Sequence, residues 1–175
     1  MSRILKQEFL IERFFDARNK RHYLNGELSV LHCHHYAALY SQLALDAGET
    51  KLLSEVAEET FFNVMTEYFK KYQVAKLEDR ITIASQYYAA IGLGQLIVKS
   101  AGIDSGDVEL PVSHLDAGWR RKWGNYDKPV NYITAGFICA MFSAVFDKPT
   151  NYYNAIETKS IVMGEKVSFF KINHL

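Results

Sequence analysis

From Pro129 to Phe146 the chain carries no charged side chain. A helix of that composition is apolar nearly all round and has to be covered on every side. A bilayer is not the expected cover. As a helix its apolar part is only about 22–25 Å long against a hydrocarbon core of ~30 Å, and Asn131, Thr134 and Ser143 interrupt it. The stretch predicts a helix from about Val130 to Phe146 buried inside a globular fold, and no membrane span.

The remaining segments have to supply its cover. Leu5, Phe9, Ile11 and Phe14/Phe15 form an apolar stripe at helical spacing, and a second helix is expected from about His34 to Ala47, before Gly48. Tyr23-Leu24-Asn25-Gly26-Glu27-Leu28 contains a turn signal that breaks the chain or makes a small hairpin. From Thr50 to Tyr72, Leu53, Val56/Ala57, Phe61, Val64/Met65, Tyr68 and Tyr72 share one face opposite glutamates and lysines, a clear amphipathic helix. A further helix is expected from roughly Glu78 to Ser100. After Gly102 the texture changes. Residues 106–113 alternate like a strand, with Pro111 restricting it to an edge or a strand end, and His114 to Trp123 form a short helix closed by Gly124. Tyr152 to Val162 and Lys166 to Ile172 make a hairpin around Met163-Gly164-Glu165. This is an α+β pattern, an antiparallel sheet packed with several helices. One domain is expected over residues 1–175, mainly helical over 1–100 and strand–helix–hairpin over 101–175.

Charge and cysteine content remove whole classes of function. Twenty Lys+Arg balance twenty Asp+Glu, and a neutral chain has no field with which to gather a polyanion, so no nucleic acid is expected as partner. Cys33 and Cys139 are the only cysteines, which argues against a disulfide framework or a thiolate zinc site. Charges of both signs in the first eight residues do not resemble a secretory signal, and a cytoplasmic location is expected. The 11 Phe, 11 Tyr and 2 Trp are an unusual load. Such side chains dominate cores and also the walls of apolar ligand sites.

His32-Cys33-His34-His35 is the densest group of metal-competent side chains, but on a helix only His32 and His35 approach one face, and no HxxxH or HExxH pair occurs. Gly92-Leu93-Gly94 lacks the context of a dinucleotide fingerprint and reads as close helix packing. Cys139 is expected to be an inert buried thiol, and Glu58-Glu59 part of a solvated face. Trp119 and Trp123 are spaced i,i+4, so on a helix both indoles fall on one face, with Arg120, Arg121 and Lys122 around the other. Both are expected to point inward. Together with His114 they could wall an apolar pocket against the helix carrying Tyr132, Phe137 and Met141, where Gly136 and Ala140 are small enough to leave room; plain core packing is the alternative.

Ser113 to Trp123, Asp127-Lys128-Pro129-Val130-Asn131-Tyr132-Ile133-Thr134-Ala135-Gly136-Phe137 and Glu157-Thr158-Lys159-Ser160-Ile161-Val162-Met163-Gly164-Glu165-Lys166-Val167-Ser168-Phe169 resemble the vinyl-4-reductase (4VR) domain. The resemblance covers about residues 80–172. It implies a fold like that of the small TRAPP vesicle-tethering subunits, a homodimer, and a small aromatic or hydrocarbon-like ligand, as in the sensor domains of phenol-responsive activators and in archaeal proteins called hydrocarbon-binding. In the phenol-sensor branch a zinc is held by three cysteines and a glutamate; those positions here are Asn131, Glu157, Ser160 and Ser168. Hydroxyls and an amide are poor zinc ligands, so neither metal nor other cofactor is expected, and hydrogen bonds should replace the metal bonds. The 175 residues contain no DNA-binding or ATPase module, so regulatory output is expected to pass through a partner protein. The alternatives are a hydrolase or reductase using His114 or the His32–His35 cluster as acid/base, and a non-catalytic assembly subunit.

Overall fold

The computed structural model describes residues 8–30 and 33–175. Leu5 and His32, invoked above, lie outside the described residues. The charge-free stretch forms α5 (Tyr132–Val145), buried at every position from Gly136 to Val145. One side packs on α2 (Thr50–Lys71). The approach is close enough that a Cβ on Gly136 would collide with Ser54 O and Ala57 Cβ of α2, so this glycine leaves no room for a ligand; it lets two backbones touch. The other side lies on a four-stranded antiparallel sheet ordered β4 (Gly94–Ala101), β5 (Ser105–Ser113), β7 (Ser168–His174), β6 (Tyr153–Lys159). Val108 and Leu110 of β5 alternate with outward residues, as do Phe170 and Ile172 of β7, giving the sheet one apolar face. α3 (Leu77–Ala90) packs against β4 and α5. The expected α+β architecture is therefore present, with α5 as its centre.

Pro111 lies in an interior strand rather than at an edge, and it is tolerated there because pairing to β7 stops at Leu110 and pairing to β4 slips between Gln95 and Ile97. The helix expected to run to Ser100 ends at Ala90. Gly92 and Gly94, with φ of 85° and 134°, turn the chain into β4, and a Cβ on Gly94 would collide with Val112 O of β5. This glycine pair makes a helix-to-strand turn, not a helix contact.

The N-terminal segment departs further from expectation. Phe14 and Phe15 lie in β1 (Arg13–Asp16), which pairs with β2 (Arg21–Leu24), and β2 with β3 (Glu27–Ser29), in a second antiparallel sheet. Asp16 Oδ1 accepts from the backbone N–H of Arg18 and Asn19 at 3.0 Å, closing the first turn. Asn25 and Gly26, both at positive φ, make the second, which is the small hairpin anticipated from Asn-Gly.

A smaller core holds the remaining elements. α1 (His34–Ala47) crosses α4 (His114–Trp123) where a Cβ on Gly118 would collide with His34 O. Ala38, Trp119, Val130 and Val162 are buried between them and a single 3₁₀ turn (Ile161–Met163).

Candidate functional site

The small sheet lies over α2 and α3 and leaves apolar space beneath it. The segment leading into β1 is tied down by Phe9 N–H donating to Gln86 Oε1 at 2.7 Å and Leu10 N–H donating to the Tyr68 hydroxyl at 2.8 Å. Asn25, at the hairpin tip, clamps the same segment: its Oδ1 accepts from Glu12 N–H at 2.7 Å and its Nδ2 donates to Leu10 O at 2.9 Å. Under this roof is a cavity of about 210 Å³ walled by Phe9, Leu24, Met65, Tyr68, Tyr72 and Tyr87. Leu24 and Tyr87 also wall a second hollow of about 570 Å³ reaching past Phe14 to Val30, Phe61 and Ala90. Val30, Phe61, Ala90 and Ile91 in turn wall a third, of about 440 Å³, which ends at Ala37, Ile133 and His114. The shared wall residues set the three hollows side by side, a row of apolar spaces that together form a crevice from Tyr68 to His114 partitioned at Leu24/Tyr87 and at Phe61/Ala90.

Rings line it. Phe9 stands 5.0 Å from Tyr68 and 5.5 Å from Tyr87, and Phe61 lies 4.9 Å from Phe137, which backs the wall from α5. Burial raises the pKa of the Tyr68 phenol and pushes that of Tyr87 up to about 12, so both stay neutral at physiological pH. Glu27, Glu67 and Lys71 stand at the first cavity and Arg13 at the second, while among the described residues the walls of the third hold no Asp, Glu, Lys or Arg.

The residues expected to share one pocket are divided among separate places. His114 ends the crevice. Phe137 and Met141 belong to the main core, Phe137 touching Phe61, Tyr87 and Tyr88. Trp119 belongs to the small core with Tyr126 beside it. Trp123 does not point inward: it is 37% exposed, 4.7 Å from the Trp119 ring, with the Lys122 ammonium 4.5 Å over its face. Tyr132, at the start of α5, is half-buried, and its carbonyl accepts from Ser54 Oγ at 2.9 Å. Glu58 also departs from expectation. It is buried and accepts Asn151 N–H at 2.8 Å. Cys139 is buried as expected, its thiol pushed up to about 12 by desolvation.

Of the positions aligned with the sensor family's zinc ligands, Asn131, Glu157 and Ser168 join a hydrogen-bonded network with Asp116 and Ser113, whereas Ser160 Oγ, expected to replace a metal bond in the same way, is buried without a hydrogen-bond partner among the described residues. Asn131 Nδ2 donates to Asp116 Oδ2 at 2.9 Å and to Glu157 Oε1 at 2.8 Å, and Asn131 Oδ1 accepts from Ser113 Oγ at 3.0 Å. Ser168 Oγ donates to Asp116 Oδ2 at 3.2 Å and accepts Ile161 N–H at 3.0 Å. An amide NH₂ thus stands between the two carboxylates, and a donor there, with hydroxyls for the remaining groups, does not fit a zinc ion. Asp116 was not anticipated from the sequence. Its signal was the spacing Ser113-x-x-Asp116, in which Ser113 Oγ caps Asp116 N–H at 3.0 Å. Phe9, Leu24, Tyr68 and Tyr87 were not anticipated as site residues either, because the roof that brings them together was expected to be a helix.

No family model and no curated protein sequence matches the chain. Among solved structures it is similar to the phenol-responsive sensory domain of the transcription activator PoxR with phenol, at TM-score 0.77 and 12% identity over 93% of this chain and 84% of that one. A vinyl-4-reductase family protein from Methanocaldococcus jannaschii superposes at TM-score 0.56 and 14% identity over 84% of each chain. Trafficking protein particle complex subunit 3 from Naegleria fowleri, covalently bound to palmitic acid, does so at TM-score 0.54 and 13% identity over 80% and 90%. The fold is the one the sequence resemblance implied.

Proposed function

We propose that this protein is a binding domain for a small aromatic or hydrocarbon-like molecule, acting as a homodimer in a sensory or regulatory role whose output passes through a partner protein. The observation that carries this reading is the ring-lined crevice beneath the small sheet, beside which a single N-terminal segment is tied down by hydrogen bonds that Gln86 and Tyr68 accept and Asn25 donates. Apolar space with few polar tips is what small apolar ligands occupy. Among the structural neighbours, one holds phenol and another palmitic acid. His114 at the end of the crevice and Phe137 behind its wall connect this place with the sequence expectation.

A ligand that binds only the folded state raises its stability by mass action. A melting screen of phenols, benzoates, fatty acids and terpenoids should therefore give upward shifts with at least one class. Leu24→Trp fills the wall shared by the first and second hollows and should abolish the shift in a variant that still melts cooperatively. No shift with any compound would remove the reading.

A further inference from the structure

The first cavity, of about 210 Å³, has the size of a single ring with a small substituent, since an apolar cavity of ~150 Å³ takes up benzene. Its polar groups are few, and most are engaged. Asn25 is committed to Glu12 and Leu10, and the Tyr72 hydroxyl donates to Glu12 Oε1 at 3.4 Å. Glu27, Glu67 and Lys71 are exposed and two of the three are acidic, so among the described residues the walls hold no buried cation to pair with an ionised ligand. Tyr68 differs from all of these. It is 8% exposed, and its ring is fixed between Phe9 at 5.0 Å and Tyr72 at 4.4 Å. Its oxygen accepts the Leu10 N–H at 2.8 Å, while its own proton has no acceptor among the described residues. A phenol hydroxyl donates as well as accepts, and a buried donor without a partner carries a desolvation cost that a ligand can relieve. The other wall phenol whose hydroxyl makes no hydrogen bond among the described residues, Tyr87, is only half-buried, and nothing fixes its oxygen in place.

Resting on the ligand-binding reading above, we infer that Tyr68 selects the ligand: its O–H donates to an acceptor oxygen of a neutral single-ring compound, such as an aryl or cyclic ketone, held in the first cavity. The same hydroxyl then links the ligand to the roof. With its proton accepted by the ligand, the Tyr68 oxygen becomes a better acceptor for Leu10 N–H, because hydrogen bonds in a chain polarise one another. Leu10 belongs to the segment that leads into β1, so filling the cavity tightens the hold on the small sheet. A compound of the same shape without an acceptor fills the space and leaves that bond as it was.

Acetophenone and α-methylstyrene have the same shape, with C=O in one and C=CH₂ in the other. Calorimetric titration of the full chain and of Tyr68→Phe with both compounds gives the ratio of their dissociation constants in each protein. The variant also loses the Leu10 bond, but a looser roof weakens both compounds alike and cancels from the ratio. The inference expects the preference for acetophenone relative to α-methylstyrene to fall about tenfold in Tyr68→Phe. In the wild-type protein the Leu10 amide proton resonance should move downfield as acetophenone saturates the cavity, and much less with α-methylstyrene, whose ring lies in the same place. A ratio unchanged in Tyr68→Phe, binding of α-methylstyrene alone, or an equal Leu10 shift with both compounds overturns the inference and leaves the apolar-ligand reading standing. Binding of neither compound overturns the inference too, and the apolar-ligand reading falls with it only where the melting screen is also blank.

Discussion

Asp116 and Glu157 are carboxyl groups that receive hydrogen bonds from a single amide, and no cationic side chain takes part in those bonds. Desolvation, then each other's charge, raises the Glu157 pKa from 4.5 to about 7, and burial raises that of Asp116, against the opposing hydrogen bonds of Asn131 and its serine neighbours. A carboxyl with a raised folded pKa holds a proton that the unfolded chain releases. Its contribution is complete below the unfolded pKa and is lost as pH rises through the folded one. The urea midpoint should therefore fall between pH 5 and pH 8, and Glu157→Gln should remove most of that slope; a flat wild-type profile, or an equal slope in the variant, would contradict the account. The tryptophans make a second contrast at this scale. Trp119 is 1% exposed and Trp123 37%, so Trp119→Ala should cost about 3–5 kcal/mol and Trp123→Ala about 1 kcal/mol or less in denaturant titrations. Their shared helix face was legible from the i,i+4 spacing. Which of them is covered was not, because α1 and the 3₁₀ turn pack over Trp119 while Trp123 is the last residue of α4.

The elements that read best were those whose periodicity is long and uninterrupted. α1, α2, α4 and α5 have bounds within a residue or two of expectation, since each carries its own apolar face or its own stop signal at Gly48 or Gly124. The failures sit where short-range signals compete. Residues 9–15 have helical spacing, but the turn at Asp16–Asn19 and the Asn25-Gly26 hairpin convert the segment to strands. Leu96, Ile97 and Val98 fit either state until the positive φ at Gly92 and Gly94 decides for strand. Gly136 supplies the element-scale test. Helix propensity alone favours Gly136→Ala by about 1 kcal/mol, whereas the backbone of α2 at Ser54 occupies the space of the new methyl. Overpacking should win, with net destabilisation of about 1–3 kcal/mol. A stabilised variant would show that α2 and α5 do not approach as described.

At the scale of the whole molecule, a main core built on α5 and a smaller one under α4 leave the crevice beneath the N-terminal sheet as the place where rings line a space instead of filling it. Exposed apolar side chains remain on the outside, among them Leu43 of α1 and Leu52 and Val56 of α2. A homodimer covering these helix faces is expected in sedimentation velocity, and a concentration-independent monomer would remove it. The methionines report on where a ligand goes. Met65 walls the first cavity, while Met141 is buried in α5 within the main core and Met163 is exposed in the 3₁₀ turn. Spectra of ¹³C-methyl methionine, recorded while the most stabilising compound of the melting screen is titrated in, should show the Met65 resonance moving to saturation with Met141 and Met163 nearly still. Movement of Met141 with Met65 unchanged would place the ligand between α4 and α5 and contradict the crevice as the binding site.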